Sequence, residues 1–219
     1  INYAVASAVK GFKIVAYDEN KNLIYSLNKK KLPFFEKNLK KNLIKKFKNI
    51  KFTSQIKDLS KCDLVFISKD VPTNSYGKSN TNIINKLIKK VTTNLNKKSC
   101  LIILCQVPPG FCQKINWEKN KLFYQVETLI FSDAQNRALF PERIIIGKFN
   151  KELNKKYSFY LKKFKCPVLE MSYQSAELAK ISINMFLISS ITTTNLLSEV
   201  CEKIGANWKD VSQALKLDK

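Results

Sequence analysis

The sequence predicts an α/β fold: a doubly wound, mostly parallel sheet followed by an all-α segment. Three observations carry this expectation. Short apolar runs alternate with stretches of helical period, the pattern of strands joined by crossover helices. The runs "DLVFIS" and "SCLIILCQ" are apolar without alternation, as strands covered on both faces are. From about Ser172 to Lys203, one apolar-periodic stretch continues without a Gly or Pro. At 219 residues, 45% of them hydrophobic, the chain can build one large domain or two modest ones around a real core.

The elements follow in order. Asn2 to Val9 is small and apolar at helical spacing, and "KG" stops it. "FKIVAYD" predicts a short strand ending in Asp18, and basic helices follow at roughly Lys21 to Asn28 and Leu39 to Phe47. "KFTS" predicts a short strand and "DLVFIS" a buried one. "KDVPTNSYGKSN" is a Pro- and Gly-bearing loop, and "TNIINKLIKKVTTNL" has helical spacing. After the strand "SCLIILCQ", "VPPGF" turns the chain out, and a further helix is expected before the strand "LFYQVE". "ERIIIG" is a β-branched strand, "KELNKKYSFYLKKF" a basic amphipathic helix and "CPVLEM" a strand. The long helix comes next, and "IGANWKDVSQALKLDK" turns into another. Ligands of such sheets lie beyond the carboxyl ends of the strands, which singles out Asp18, Ser68, Gln106 and Glu127. A helix of this length outside the sheet must bury its apolar face, and a second copy of the chain is the expected partner.

The net charge of +22 invites a nucleic-acid reading. The basic residues are almost all Lys, with Arg only at Arg137 and Arg143, whereas readers of phosphates and bases use Arg forks as well. Lys and Asn share AT-rich codons, so genome composition accounts for much of the charge, and the expectation is no nucleic acid. Cys62, Cys100, Cys105, Cys112, Cys166 and Cys201 form no C-x-x-C pair and the chain has no His, so no metal site is expected. Several cysteines sit in apolar strand-like runs, the usual place of reduced, buried thiols, which implies a cytoplasmic compartment. No apolar run reaches membrane-spanning length, and "INYAVASAVKG" lacks the basic start of a signal peptide.

Four places carry chemistry. Asp18, at a strand end, can accept hydrogen bonds from an adenosine ribose and disfavour a 2′-phosphate; it can equally cap a turn. "ISKDVPT" (Ile67 to Thr73) and "CQVPPGF" (Cys105 to Phe111) are Pro-bearing exits from buried strands. Glu127 can hold or deprotonate a water, or be a surface carboxylate. Lys180 and Asn184 stand four residues apart, hence on one face of the long helix. An ammonium beside an amide makes a donor pair suited to a developing oxyanion; a snorkelling Lys and an interfacial Asn are the plainer alternative.

In sequence order, "KGFKIVAYDENKNLIYSLN", "LPFFEKNL", "CDLVFISKDVPT", "QVPPG", "QVETLIF", "PERIIIG" and "SAELAKISINMFL" with "CEKIGAN" resemble successive segments of the UDP-glucose/GDP-mannose dehydrogenase family. The resemblance covers essentially the whole chain. It implies a Rossmann-like NAD-binding domain over 1–171, its first strand and glycine loop missing, and a central helical dimerisation domain over 172–219. It implies NAD as cofactor, a nucleotide sugar such as UDP-glucose as substrate, and a homodimer through the 172–203 helix. The implied reaction oxidises the sugar C6 alcohol twice to a carboxylate, with two NAD and a cysteine thiohemiacetal and thioester.

By the same resemblance, Asp18, Ile67, Ser68, Val71 and Cys105 contact the cofactor. Glu127, Thr128, Leu129, Lys180 and Asn184 line the substrate, with Glu127 aiding thioester hydrolysis and Lys180 and Asn184 holding the oxyanion. The chain departs from the family pattern at Gln106 and Val71, each in place of a Thr, and at Gln125 and Val126 in place of Asn-Pro. Phe131 stands where the family has a second Glu, and no cysteine matches the family nucleophile. These 219 residues are therefore expected to be an internal fragment, inactive alone. A β-hydroxyacid dehydrogenase and a non-catalytic binding or dimerisation module remain the rival readings.

Overall fold

The computed structural model describes residues 1–72 and 79–217. Two compact units divide the chain, Ile1–Leu178 and Ala179–Lys219. The first opens with α1 (Asn2–Val9), β1 (Ile14–Tyr17), α2 (Lys21–Asn28), α3 (Leu39–Lys46), β2 (Ile50–Thr53) and β3 (Leu64–Ile67). It continues through α4 (Asn82–Thr92), β4 (Cys100–Ile103), β5 (Leu122–Gln125), α5 (Ala134–Leu139), β6 (Ile144–Gly147), α6 (Lys155–Lys162) and β7 (Val168–Met171). The long helix α7 (Tyr173–Ile204) begins in the first unit and continues into the second, where α8 (Trp208–Leu217) follows.

Local chemistry explains the helix starts. The Asn20 side chain accepts from the Leu23 amide at 3.1 Å and caps α2, and the Asn154 side chain accepts from the Lys156 amide and caps α6. α4 buries Ile84, Ile88 and Val91, at the i, i+4, i+7 spacing that puts one face on the sheet. All four residues of each of β4, β5 and β6 are buried, as expected of strands covered on both faces. On one face, Ile102, Phe123 and Ile146 pack against Tyr157, Tyr160 and Leu161 of α6.

The strands form two sheets. β1 pairs with β2, in parallel, with Ile14 opposite Ile50. The second sheet has the order β3-β4-β5-β6-β7 and is parallel except between β5 and β6. One antiparallel pair among parallel ones agrees with the mostly parallel sheet expected from the sequence. The only α-helix in the 126–143 link is the six-residue α5. Among the described residues β1 and β3 each keep one unpaired edge, and a cavity of about 1370 Å³ is lined by both strands along their length. This is a Rossmann-like arrangement.

Three expectations are corrected. The helix expected after "VPPGF" is only two single turns of 3-10 helix, Cys112–Lys114 and Lys119–Lys121. Two prolines contribute no N–H there, and the amides of Gly110 and Cys112 donate to a side chain, not to a helical carbonyl. β5 ends at Gln125, so Glu127 lies two residues beyond the strand. Finally, α7 is long and apolar enough to cross a membrane by length and composition, with a mean hydropathy of 1.2 over eighteen residues. Reading for uninterrupted apolar runs missed it, because Ser, Thr and Asn are dispersed among its Ile, Leu and Phe residues.

Candidate active site

The carboxyl ends of β3, β4 and β5 lie side by side, because the three strands are parallel neighbours. Ser68, Leu104 and Val126 are the first residues past them. Ile67 and Cys105 meet here: the Leu104 amide donates to the Ile67 carbonyl at 2.9 Å, and the Cys105 thiol donates to the same carbonyl at 3.3 Å. The Lys69 amide in turn donates to Cys105 Sγ at 3.3 Å. The cysteine thus stitches the exit of β3 to the exit of β4. Burial pushes its thiol up to about 11, so it is a neutral structural group and not a nucleophile at ordinary pH. Val71 is half-buried a few residues on. The predicted turn runs to Thr73, which lies outside the described residues.

Asp18 follows β1 directly. Its amide donates to the Thr53 carbonyl, and its Oδ1 accepts from the Asn20 amide at 2.8 Å. One carboxylate oxygen therefore serves the turn that starts α2. Asp18, Ile67 and Ser68 line the same cavity, which brings three of the five predicted cofactor residues together. Val71 and Cys105 are not among the residues lining it. Nine of the lining side chains are lysines against three carboxylates, a balance that favours an anionic ligand such as a pyrophosphate. The first turn of α1, which also lines the cavity through Ile1, Tyr3 and Ala4, has no side-chain cap on its amides. These features fit an anionic dinucleotide.

Glu127, Thr128 and Leu129 form one half-buried loop past β5. The Glu127 carboxylate accepts from the Leu129 amide, which folds the loop back on itself. Sequence reasoning missed two of its neighbours. Tyr3 of α1 has its phenol pushed well above the usual range, first by burial and then by the Glu127 charge, and it shares hydrogen bonds with Gln125 and Thr128. Gln125 is buried and accepts from Tyr157 Oη at 2.7 Å. Phe131 is almost wholly exposed, at 96%. No local pattern ties Tyr3 to a loop more than a hundred residues away.

Lys180 and Asn184 are both half-buried on α7, one turn apart as predicted, in the second unit. The third missed residue is Glu177, fully buried near the start of the same helix. Its only sequence signal is a carboxylate within an apolar helical run.

Residues 1–164 match the NAD binding domain of the UDP-glucose/GDP-mannose dehydrogenase family, and residues 174–219 match that family's central domain. The chain belongs to this family. NAD is accordingly the cofactor of its first domain. A UDP-glucose 6-dehydrogenase of Rickettsia typhi is 32% identical over 224 residues, covering 95% of this chain and 51% of the relative. The fold is that of two solved members. A GDP-mannose dehydrogenase from Pseudomonas aeruginosa gives a TM-score of 0.92 at 17% identity, over 99% of this chain and 54% of the other. A UDP-glucose dehydrogenase from Pyrobaculum islandicum gives 0.88 at 22% identity, over 99% and 54%. The chain spans about half the length of the curated relatives it matches.

Proposed function

We propose that the whole protein is an NAD-dependent nucleotide-sugar 6-dehydrogenase that oxidises the C6 alcohol of a UDP-sugar of the UDP-glucose type. The balanced reaction consumes the alcohol, one water and two NAD, and yields the carboxylate, two NADH and three protons. The observation that carries this reading is the gathering of Ser68, Cys105 and Glu127 at one carboxyl edge of parallel strands, where α/β folds bind ligands. When bound, NAD supplies the hydride acceptor. Asp18 holds its ribose, and Ile67, Ser68, Val71 and Cys105 shape the wall along it.

Glu127, with Thr128 and Leu129, lines the substrate; its carboxylate takes up the proton of a water in the hydrolytic step. Lys180 and Asn184 present an ammonium and an amide N–H to the oxygen at C6 as negative charge develops there. The domain division follows at 1–171 and 172–219, with homodimers formed through α7. The apolar residues exposed on α7, among them Met185, Phe186, Ile188 and Ile191, support a protein partner for that helix. So do Lys180 and the dispersed Ser and Thr residues, which suit an aqueous interface better than lipid. The six free thiols suit the cytoplasm.

NADH formation from UDP-glucose by the whole protein tests the reading. Lys180→Ala lowers kcat by about a hundredfold or more while KM changes little, because an oxyanion contact acts in the transition state. An unchanged kcat removes Lys180 from the mechanism. Turnover by the 219 residues alone overturns the view that they need the rest of the protein.

A further inference from the structure

Glu177 is a fully buried carboxylate that none of the roles above uses. Its Oε2 accepts from the Gly110 amide at 2.5 Å and its Oε1 accepts from the Cys112 amide at 2.8 Å. The loop between β4 and the next turn of 3-10 helix is thereby clamped by one side chain through two charge-assisted hydrogen bonds. Gly110 has a φ of +86°, a conformation glycine adopts freely, and this helps aim two amides at one carboxylate. The surroundings are closed and apolar. The Cys112 thiol is held far above its usual range, by burial first and then by the Glu177 charge. Tyr124 Oη, buried and without a hydrogen-bond partner among the described residues, has its acidity suppressed by burial first, with the Glu177 charge adding to it.

A carboxylate desolvated to this degree is costly unless its hydrogen bonds are kept. The loop it grips begins at Cys105, the residue that stitches the exits of β3 and β4 at the cofactor side.

We propose that Glu177 is a positioning residue. It fixes loop 106–112 on the first turns of α7, and so holds the β4 exit in the geometry hydride transfer requires. The catalytic half of this proposal rests on the dehydrogenase reading above. Filling space is the rival role, and the isosteric Glu177→Gln separates the two. An amide keeps the volume and one acceptor oxygen, but turns an NH2 toward one of the two backbone donors. A space-filling residue tolerates that exchange, whereas a clamp does not.

Two readouts on the whole protein decide. Hydrogen exchange followed by mass spectrometry is expected to show residues 108–113 exchanging about tenfold faster or more in Glu177→Gln, the worth of one charged hydrogen bond. Peptides from β5 and α1 should stay as in the wild type. Cys112 becomes open to alkylation in the variant and not in the parent. In turnover, kcat falls about tenfold while KM for the nucleotide sugar stays within about twofold, as misplacement of reacting groups predicts. Glu177→Asp, too short to reach both amides, should reproduce the faster exchange. Exchange unchanged at 108–113 overturns the clamp, and faster exchange with unchanged kcat overturns its catalytic purpose. If the parent shows no NAD-linked turnover, the dehydrogenase reading fails, and with it the catalytic purpose, while the exchange data still judge the clamp.

Discussion

Replacing Gly147 by alanine puts a methyl group where the end of β6 touches the start of α7. An ideal Cβ there stands 3.0 Å from Ala176 Cβ, 3.0 Å from Tyr173 Cα and 3.2 Å from Tyr124 Cβ. Carbon atoms prefer about 3.5–4.0 Å, so the neighbours on two sides must each give by about half an ångström. None of the three contacts is the tip of a flexible side chain. Tyr173 and Ala176 belong to the hydrogen-bonded first turns of α7, and Tyr124 is the direct partner of Gly147 across the antiparallel ladder. Overpacking of this kind costs about 1–3 kcal/mol, and the rigidity of the neighbours puts this site in the upper half.

Against that, alanine in a strand recovers about 0.5–1 kcal/mol of backbone entropy relative to glycine. The net loss is about 1–2 kcal/mol. A chain of this size shifts by about 2–4 °C per kcal/mol, so Tm falls by about 2–8 °C in thermal unfolding followed by far-UV circular dichroism. Adding Ala176→Gly removes one of the short contacts and returns part of the loss. A Gly147→Ala protein melting within about 1 °C of the parent would refute the reasoning, because it would mean that β6 and α7 can separate freely.

Other outcomes follow from the same geometry. Asp18→Ala is expected to raise KM for NAD about tenfold or more, the worth of a charged hydrogen bond to a ribose, and to narrow the preference for NAD over NADP; unchanged constants for both cofactors would remove Asp18 from the site. Cys100 and Cys105 are each raised by burial from 9.0 to about 11. The folded state therefore keeps protons that the unfolded chain releases. The stability this contributes is complete below about pH 9 and is lost as pH rises toward 11, so urea midpoints should fall across that window. Cys105→Ser should lower the urea midpoint at neutral pH, because a shorter hydroxyl spans the Ile67 carbonyl and the Lys69 amide less well than sulfur; a midpoint equal to the parent's would show that the stitch carries no weight.

Much of the fold was legible because its signals are local. The alternation of apolar runs with helical periods gave α1, α2 and the strands to within two or three residues. The caps at Asn20 and Asn154 lie beside the helices they start. The candidate site was legible in part for a different reason: strand ends in a parallel sheet converge, so Ser68, Gln106 and Glu127 could be named before any distance was known, whereas Cys105 was named only through the family resemblance. α5 was not legible, because six residues are too few to show a period. The helix expected after "VPPGF" failed for the opposite reason, since its amides are claimed by a distant side chain.

By itself the sequence determined the fold class, the order of elements and the chemistry available at each strand end, because backbone propensity and burial pattern are written within a few neighbouring residues. Only the tertiary structure decided the reversal of β6, the Ile67–Cys105 contact, Tyr3 beside Glu127, and Glu177 gripping an amide 65 positions away. Such contacts are made where the chain crosses itself, and the cost of an unpaired buried charge, not any local preference, fixes which groups meet there.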